Sequence, residues 1–348
     1  MQKKKVENNL FNITRLVQGI GVEDLIELSS ISHGGNNRAW LLKTKQKKIF
    51  IKKYFISEHD KRDRFGTEIS FLIFAWEKGI REIPEPLAAD RANLLGLFAF
   101  ISGRRPEKEE INRPFLEYAL SFLRKLNLNK NSLRSQSLFC GSESCFNLAE
   151  HIESLGKKLN RLKSITDNDR LDGEAHKFIE DELNAKWLEV KSGIYREISE
   201  KGFDLNETID PNDRIISPSD FGFHNTILTA EGELFFVDFE YAGWDDPVKL
   251  ICDFFCQPEL PVPIEYFDWF VEEISKITGR SSDDNDNLHW RAKLLFPLYK
   301  LKWCCIMLND FVPVDRERKD FASFDTDRRK IQLDKAVHYL KGIHCGIY

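Results

Sequence analysis

The chain has 348 residues, 42% hydrophobic and 31% charged, with 51 basic and 56 acidic side chains and a formal net charge of −5. That balance excludes a disordered chain, which is less apolar, and a membrane protein, which carries fewer charges. It also argues against a dedicated nucleic-acid binder, whose affinity rests on basic patches. The charge is unevenly divided, since residues 1–103 hold 17 basic and 12 acidic groups and the remainder 34 and 44. The seven cysteines are odd in number and form no paired C-x-x-C sets, so neither a disulfide framework nor a zinc site is expected. Lys3, Lys4 and Lys5 lead into polar Glu7-Asn8-Asn9 where a signal peptide needs an apolar stretch. The longest nearly apolar run, residues 94–101, falls far short of the roughly 20 residues that span a bilayer. A cytoplasmic, reduced chain without membrane insertion is the expectation.

In chain order, residues 26–32 read as a strand that runs into His33-Gly34-Gly35-Asn36-Asn37, a turn signal. Strands are expected again over 38–44 and 49–55, with the charged turn 45–48 between them. Ser57-Glu58-His59-Asp60 has the form of a capping box, which predicts a helix to Lys78 with Ile69, Leu72, Ile73 and Trp76 on its apolar stripe. Pro84 and Pro86 introduce two short strands, 87–91 and 95–101. From Pro106 helical periods dominate, with helices expected over 115–126, 145–164, 174–201, 264–277, 288–309 and 328–341. One β-rich interruption covers 214–241. The fold class is therefore α+β: a β-rich lobe over 1–103 and a mostly helical lobe over 104–348.

The interruption carries the most informative residues. An apolar pair, Ile215-Ile216, leads to Asp220, with Asn225 five residues on. A turn then returns as an apolar strand ending at Asp238. Two strands of one hairpin bring the ends bearing Asn225 and Asp238 together, and an amide oxygen beside a carboxylate suits Mg²⁺. A second carboxylate in reach, Asp220, is placed to accept a proton from an attacking hydroxyl.

This arrangement resembles the catalytic and metal-binding loops of protein-kinase-like phosphotransferases, and within them the aminoglycoside phosphotransferase and choline kinase group, over nearly the whole chain. The resemblance implies a bilobal fold and transfer of the γ-phosphate of ATP to a small-molecule hydroxyl acceptor such as an amino alcohol, a sugar or an aminoglycoside. It implies that Asp220 is the catalytic base and that Asn225 and Asp238 hold Mg²⁺. Gly34, Gly35, Asn36 and Asn37 match the turn over the phosphates, Lys52 the strand lysine and Glu68 the helix acid that holds it. Lys53, the rival for Lys52, is expected on the opposite face of its strand. Phe100 and Ile101 fall in the segment that resembles the adenine-binding hinge. Glu240, Tyr241, Trp244 and Asp245 are candidates for the acceptor side, and Tyr241, Trp244 and Trp303 for an aromatic wall or, equally, for packing. Asp253 matches a helix acid that buttresses the catalytic loop.

One departure stands out. Where the group carries His-Gly before the base, this chain has Pro218-Ser219. That exchange supports a second reading, a nucleotide-binding pseudokinase with a regulatory or scaffolding role. His224 reads as a structural loop residue, Cys304-Cys305 as core, and Asp283-Asp284-Asn285-Asp286 as a solvated loop lacking the EF-hand glycine and terminal glutamate. There is no Walker A and no G-x-G-x-x-G motif.

Overall fold

The computed structural model describes residues 11–22, 24–31, 37–56, 60, 62–165, 169–279, 282–313 and 328–343, with side chains undescribed at 25 and 282–286. These residues fall into two compact units. The first takes the chain up to Arg105 together with Thr226–Tyr241; the second takes Pro106–Asn225 and most of the chain from Ala242 onward. Thr226–Tyr241 thus clusters with the first unit rather than with the segments that flank it in sequence.

The first unit is built on an antiparallel sheet of five strands, β1 (Leu25–Ile31), β2 (Arg38–Thr44), β3 (Lys48–Lys53), β4 (Pro86–Asp90) and β5 (Leu95–Ala99), in the order β1-β2-β3-β5-β4. Alternation along β2 and β3 turns Leu42, Ile49 and Ile51 inward against Leu95 and Leu97 of β5. A short helix, α1 (residues 11–18), closes this cluster with Ile13 and Val17. In the register Lys52 lies between Ala39 and Gly96, and such small neighbours leave the space its stem fills.

Helix α2 (Arg64–Glu77) follows β3. It begins later than the sequence pattern predicts, because the cap is Asp63, whose carboxylate accepts the Gly66 N–H at 3.0 Å. The expected box at Ser57, Glu58 and His59 lies outside the described residues. The helix end near Lys78 is as expected. A two-stranded hairpin, β7 (Thr226–Leu228) with β8 (Leu234–Phe236), completes this unit, with Thr226 opposite Phe236.

The second unit is helical: α3 (Arg113–Asn127), α4 (Leu133–Gln136), α5 (Leu148–Leu162), α6 (Arg170–Phe178), α7 (Asn184–Lys201), α8 (Pro247–Cys256), α9 (Phe267–Thr278), α10 (Ser282–Met307) and α11 (Arg329–Lys341). The helix expected over 174–201 is instead α6 and α7 joined by one π-helical stretch, Ile179–Leu183. The β-rich stretch also divides: β6 (Ile215–Ser217) pairs with β9 (Gly243–Asp245), a strand beyond the expected hairpin. Gly243 is required there. It has φ +157°, and a Cβ would come within 2.3 Å of the Phe139 carbonyl oxygen.

Helix α8 is the buried centre of this unit, all ten of its residues being buried, and α10 packs against it and against α5, α7, α9 and α11. Its N-cap, Asp246, accepts the Val248 N–H at 2.9 Å and faces the Arg291 guanidinium and His151 Nε2, the latter at 3.2 Å. His151 Nδ1 in turn meets the Tyr299 hydroxyl at 2.7 Å. Burial opposes the charge on Asp246, but Arg291 and His151 outweigh it and hold the carboxyl well below its ordinary 3.8.

A carboxylate depressed in the folded state stabilises the fold above its unfolded pKa and loses that contribution as pH falls. The contribution of Asp246 is therefore complete above about pH 4 and declines below it. Asp246→Asn keeps the cap but leaves Arg291 without its anion, and is expected to lower unfolding stability at neutral pH by about 3 kcal/mol. Denaturant unfolding of both proteins between pH 3 and 7 checks this, and the difference between them should shrink toward the acid end.

Candidate functional site

In the first unit, β3 buries Lys52 on the face opposite Ile49 and Ile51 and leaves Lys53 half-buried. Lys52 Nζ donates to Glu68 Oε2 at 2.7 Å and to Asp238 Oδ1 at 2.6 Å, with Glu240 Oε2 at 3.8 Å. One oxygen from each of Glu68, Asp238 and Glu240 lies within 4.8 Å of the others, and the ammonium makes this crowding tolerable. Burial alone would lower the Lys52 pKa. The three carboxylates, Asp238 foremost, outweigh it and raise it well above the usual lysine value. Lost hydration, with Glu240 and Glu68 nearby, pushes Asp238 up to about 6 against the pull of Lys52.

Glu68 is itself held. Its Oε2 accepts the Tyr54 hydroxyl at 2.7 Å, and its Oε1 accepts the Phe239 N–H at 3.2 Å. Burial and the Glu68 charge drive the Tyr54 phenol well above its ordinary value, so it remains a donor. Phe239 stacks on Phe71 of α2 with ring centroids 4.9 Å apart. The segment after β8 is thereby tied to α2 by a ring and a backbone bond. Within that segment Asp238 has φ +67°, a left-handed conformation that costs a non-glycine residue on the order of 1 kcal/mol.

Gly34, Gly35 and Asn36 lie outside the described residues. Asn37 does not face open space: its amide donates to Glu240 Oε2 at 2.6 Å and its Oδ1 accepts the Phe55 N–H at 3.1 Å. Glu240 is fully buried, so it has no surface to offer an acceptor and serves instead as the partner of Asn37 and Lys52. Burial opposes its charge, yet Lys52 and Arg64 keep its pKa lowered. Tyr241 lies half-buried with the Arg62 and Arg64 guanidinium groups 5.5 and 5.6 Å from its ring centre, so its face is already matched to cations of the chain itself. Phe100 and Ile101 follow the end of β5, both half-buried, and the Phe100 N–H is occupied by the Lys48 carbonyl at 3.2 Å.

In the second unit, Asn127 of α3 grips both backbone groups of Ile216, accepting its N–H at 2.8 Å and donating to its carbonyl at 3.0 Å. This anchors β6 just before the loop that bears Asp220. Past it, His224 Nε2 lies 3.2 Å from Asp220 Oδ1, and Asn225 Nδ2 donates to the Asp220 carbonyl at 3.0 Å. A carboxylate only accepts, so Nε2 carries the proton in this contact. Burial works to raise the Asp220 pKa, but His224, Asn225 and Lys302 outweigh it and keep the carboxyl ionised. The Asn225 amide nitrogen is thus engaged, and its oxygen is the group left for a ligand.

Asp245, like Glu240, is fully buried, and its carboxylate holds Lys249 at 2.6 Å rather than facing solvent. The Trp244 indole N–H donates to the Ser135 carbonyl at 3.0 Å, and Trp303 meets His224 edge-on with ring centres 6.2 Å apart. Asp253 accepts both its bonds from Lys302, at 2.7 and 2.8 Å, with Lys249 at 3.7 Å. Nothing in the sequence motifs singles out Tyr54, Asn127, Lys249 or Lys302. For Lys249 a partial signal exists, since Lys249 and Asp253 stand four apart and share one face of α8, while Asp245 lies four residues earlier on β9.

No family model and no curated protein matches the sequence. Solved structures do match. A spectinomycin phosphotransferase in complex with ADP and spectinomycin superposes with a TM-score of 0.57 at 13% identity, over 92% of this chain and 94% of that one. The ethanolamine kinase of Plasmodium vivax gives 0.55 at 20% identity, over 91% and 80%. The choline kinase of Streptococcus pneumoniae gives 0.54 at 14% identity, over 98% and 99%. At these identities the likeness concerns the fold. The chain has the bilobal α+β fold seen in aminoglycoside phosphotransferases and in choline and ethanolamine kinases, as its sequence led one to expect.

Proposed function

We propose that the chain is an ATP- and Mg²⁺-dependent phosphotransferase that moves the γ-phosphate to a hydroxyl of a small molecule. The observation that carries this is Lys52, a buried strand lysine gripped at once by a helix acid, Glu68, and by Asp238. A lysine so fixed presents its charge at one point, which is what orienting the α- and β-phosphates requires. The fold neighbours, kinases of spectinomycin, choline and ethanolamine, agree with it.

By its chemistry, each of the two proposed donors suits the metal. An Asn225 amide oxygen and an Asp238 carboxylate are hard ligands, and Mg²⁺ is commonly held by one or two such groups plus phosphate oxygens and water. When bound, Mg²⁺ neutralises charge on the transferring phosphoryl group. The chain's own residues do the rest. Glu68 and Tyr54 keep Lys52 in place, and Asp220 orients the acceptor hydroxyl and takes its proton. The loose transition state asks for positioning and charge neutralisation more than for covalent help.

The acceptor class is cationic or neutral. The ten-charge acidic excess beyond residue 103 disfavours an anionic acceptor through long-range repulsion. Choline, ethanolamine and spectinomycin, the compounds in the neighbours' names, are alcohols that carry ammonium groups near neutral pH and set the first panel to try.

Asp220→Asn is expected to cut phosphoryl transfer by about 10²–10⁴-fold while ATP binding stays near wild type. A phosphorylation screen over amino alcohols, sugars and aminoglycosides, with Asp220→Asn as its blank, checks this; equal turnover in the two proteins would overturn the assignment. Lys52→Met is expected to weaken ATP binding about tenfold or more, read by calorimetric titration in Mg²⁺. It should also lower thermal stability, because three carboxylates then share one site without the ammonium between them.

A further inference from the structure

The residue before the proposed base is strained and held in an unusual way. Ser219 has φ +68°, the left-handed region that glycine enters freely and serine does not. Its N–H donates to the Ser217 hydroxyl at 2.9 Å, and its own hydroxyl accepts from Lys249 Nζ at 2.7 Å, with the Ser142 carbonyl at 3.5 Å. The Asp220 N–H folds back onto the Pro218 carbonyl at 2.9 Å, so the turn is tight on both sides of Ser219. The side chains that anchor it are buried, Ser217 and Asp245 completely and Lys249 to within 2%.

A buried ammonium needs counter-charge, and Lys249 has it on two sides, from Asp245 at 2.6 Å and Asp253 at 3.7 Å. Both anions sit four residues from it, so the ammonium is fixed in position by its own helix and strand. Its remaining donor goes to Ser219. Pro218 supplies no imidazole and no backbone N–H, so nothing at that position braces the turn by hydrogen-bond donation.

We infer that Lys249 is the positioning residue of Asp220, acting through the Ser219 hydroxyl to hold the turn that aims the carboxylate at His224 and the acceptor. The role falls to this Lys–Ser pair because Pro218 donates no hydrogen bond and the left-handed backbone of Ser219 needs a tether. It rests on the reading of Asp220 as the base.

Lys249→Met strands Asp245 in the interior, so Ser219 is the cleaner probe. Ser219→Ala keeps the Cβ that strains the turn and removes the tether; Ser219→Gly removes both. With Mg²⁺-dependent ATP hydrolysis as readout, Ser219→Ala is expected to lose about tenfold in kcat with KM for ATP within about twofold, since the transition state alone is affected. Ser219→Gly should recover at least about fivefold over the alanine variant, because glycine takes φ +68° without help. A merely structural serine would give the two variants the same loss. The paired substitution Asp245→Asn with Lys249→Met, neutral overall and without a donor at 249, should reproduce the alanine result and respond to added Ser219→Gly in the same way.

Crystal structures supply a readout that needs no activity. In Ser219→Ala the Asp220 carboxylate should leave its 3.2 Å contact with His224 Nε2, and in Ser219→Gly it should keep it. An undisturbed Asp220 in the alanine variant, or equal kinetic losses in both variants, would overturn the inference. If Asp220→Asn turns over like the wild type, the base assignment fails by itself, and the crystallographic comparison still decides whether Lys249 holds the turn.

Discussion

A buried ammonium cannot stand alone, and each unit of this protein is arranged around one. In the first, Lys52 sits among Glu68, Asp238 and Glu240. In the second, Lys249 sits between Asp245 and Asp253. Stripping an ammonium of water costs several kcal/mol, and that cost is recovered only when carboxylates approach closely and are themselves bonded. Much of the surrounding detail is a response to this demand. Tyr54 and the Phe239 amide satisfy Glu68, Asn37 satisfies Glu240, and Lys302 satisfies Asp253. The outcome is a set of charged groups fixed without the help of long loops.

The same demand sets the roles of residues that look alike in sequence. Asp238 and Glu240 are two positions apart and both acidic. Asp238 stays partly exposed on a left-handed backbone, with one oxygen on Lys52. Glu240 is completely enclosed and committed to Asn37. One remains accessible to a ligand, while the other fastens the start of β2 to the segment after β8. A comparable division separates Asp220, reachable beside His224, from Asp245, enclosed by Lys249.

Much of the scaffold is legible in the sequence because the signals are local. Apolar alternation marks β2 and β3, a lysine on the face of β3 opposite Ile49 and Ile51 marks Lys52, and an acid in the helix after β3 marks Glu68. The features that escape are non-local or compensated. Helix α8 is buried on every side, and with only Lys249 and Asp253 polar among its ten residues it reads as a short apolar run rather than a helical period. The cap of α2 passes to Asp63 over the better-looking Ser57 box. Lys249 is invisible to any rule that puts lysine at the surface, since its burial is set by anions four residues away on either side. Asn127 holds β6 through backbone bonds across 89 residues, which no pattern in α3 announces.

The interleaving of the two units along the sequence has a consequence for how the chain can be divided. Thr226–Tyr241 belongs with the first unit although it is embedded in the sequence of the second. A fragment ending at Arg105 would retain the five strands and α2, yet leave Lys52 with Glu68 alone and Asn37 without Glu240. The missing carboxylates, at Asp238 and Glu240, are made only after the whole stretch Pro106–Asn225 of the second unit. During synthesis, then, the sheet emerges long before its charge balance does, and the first unit reaches its final electrostatic state only once the hairpin has joined it.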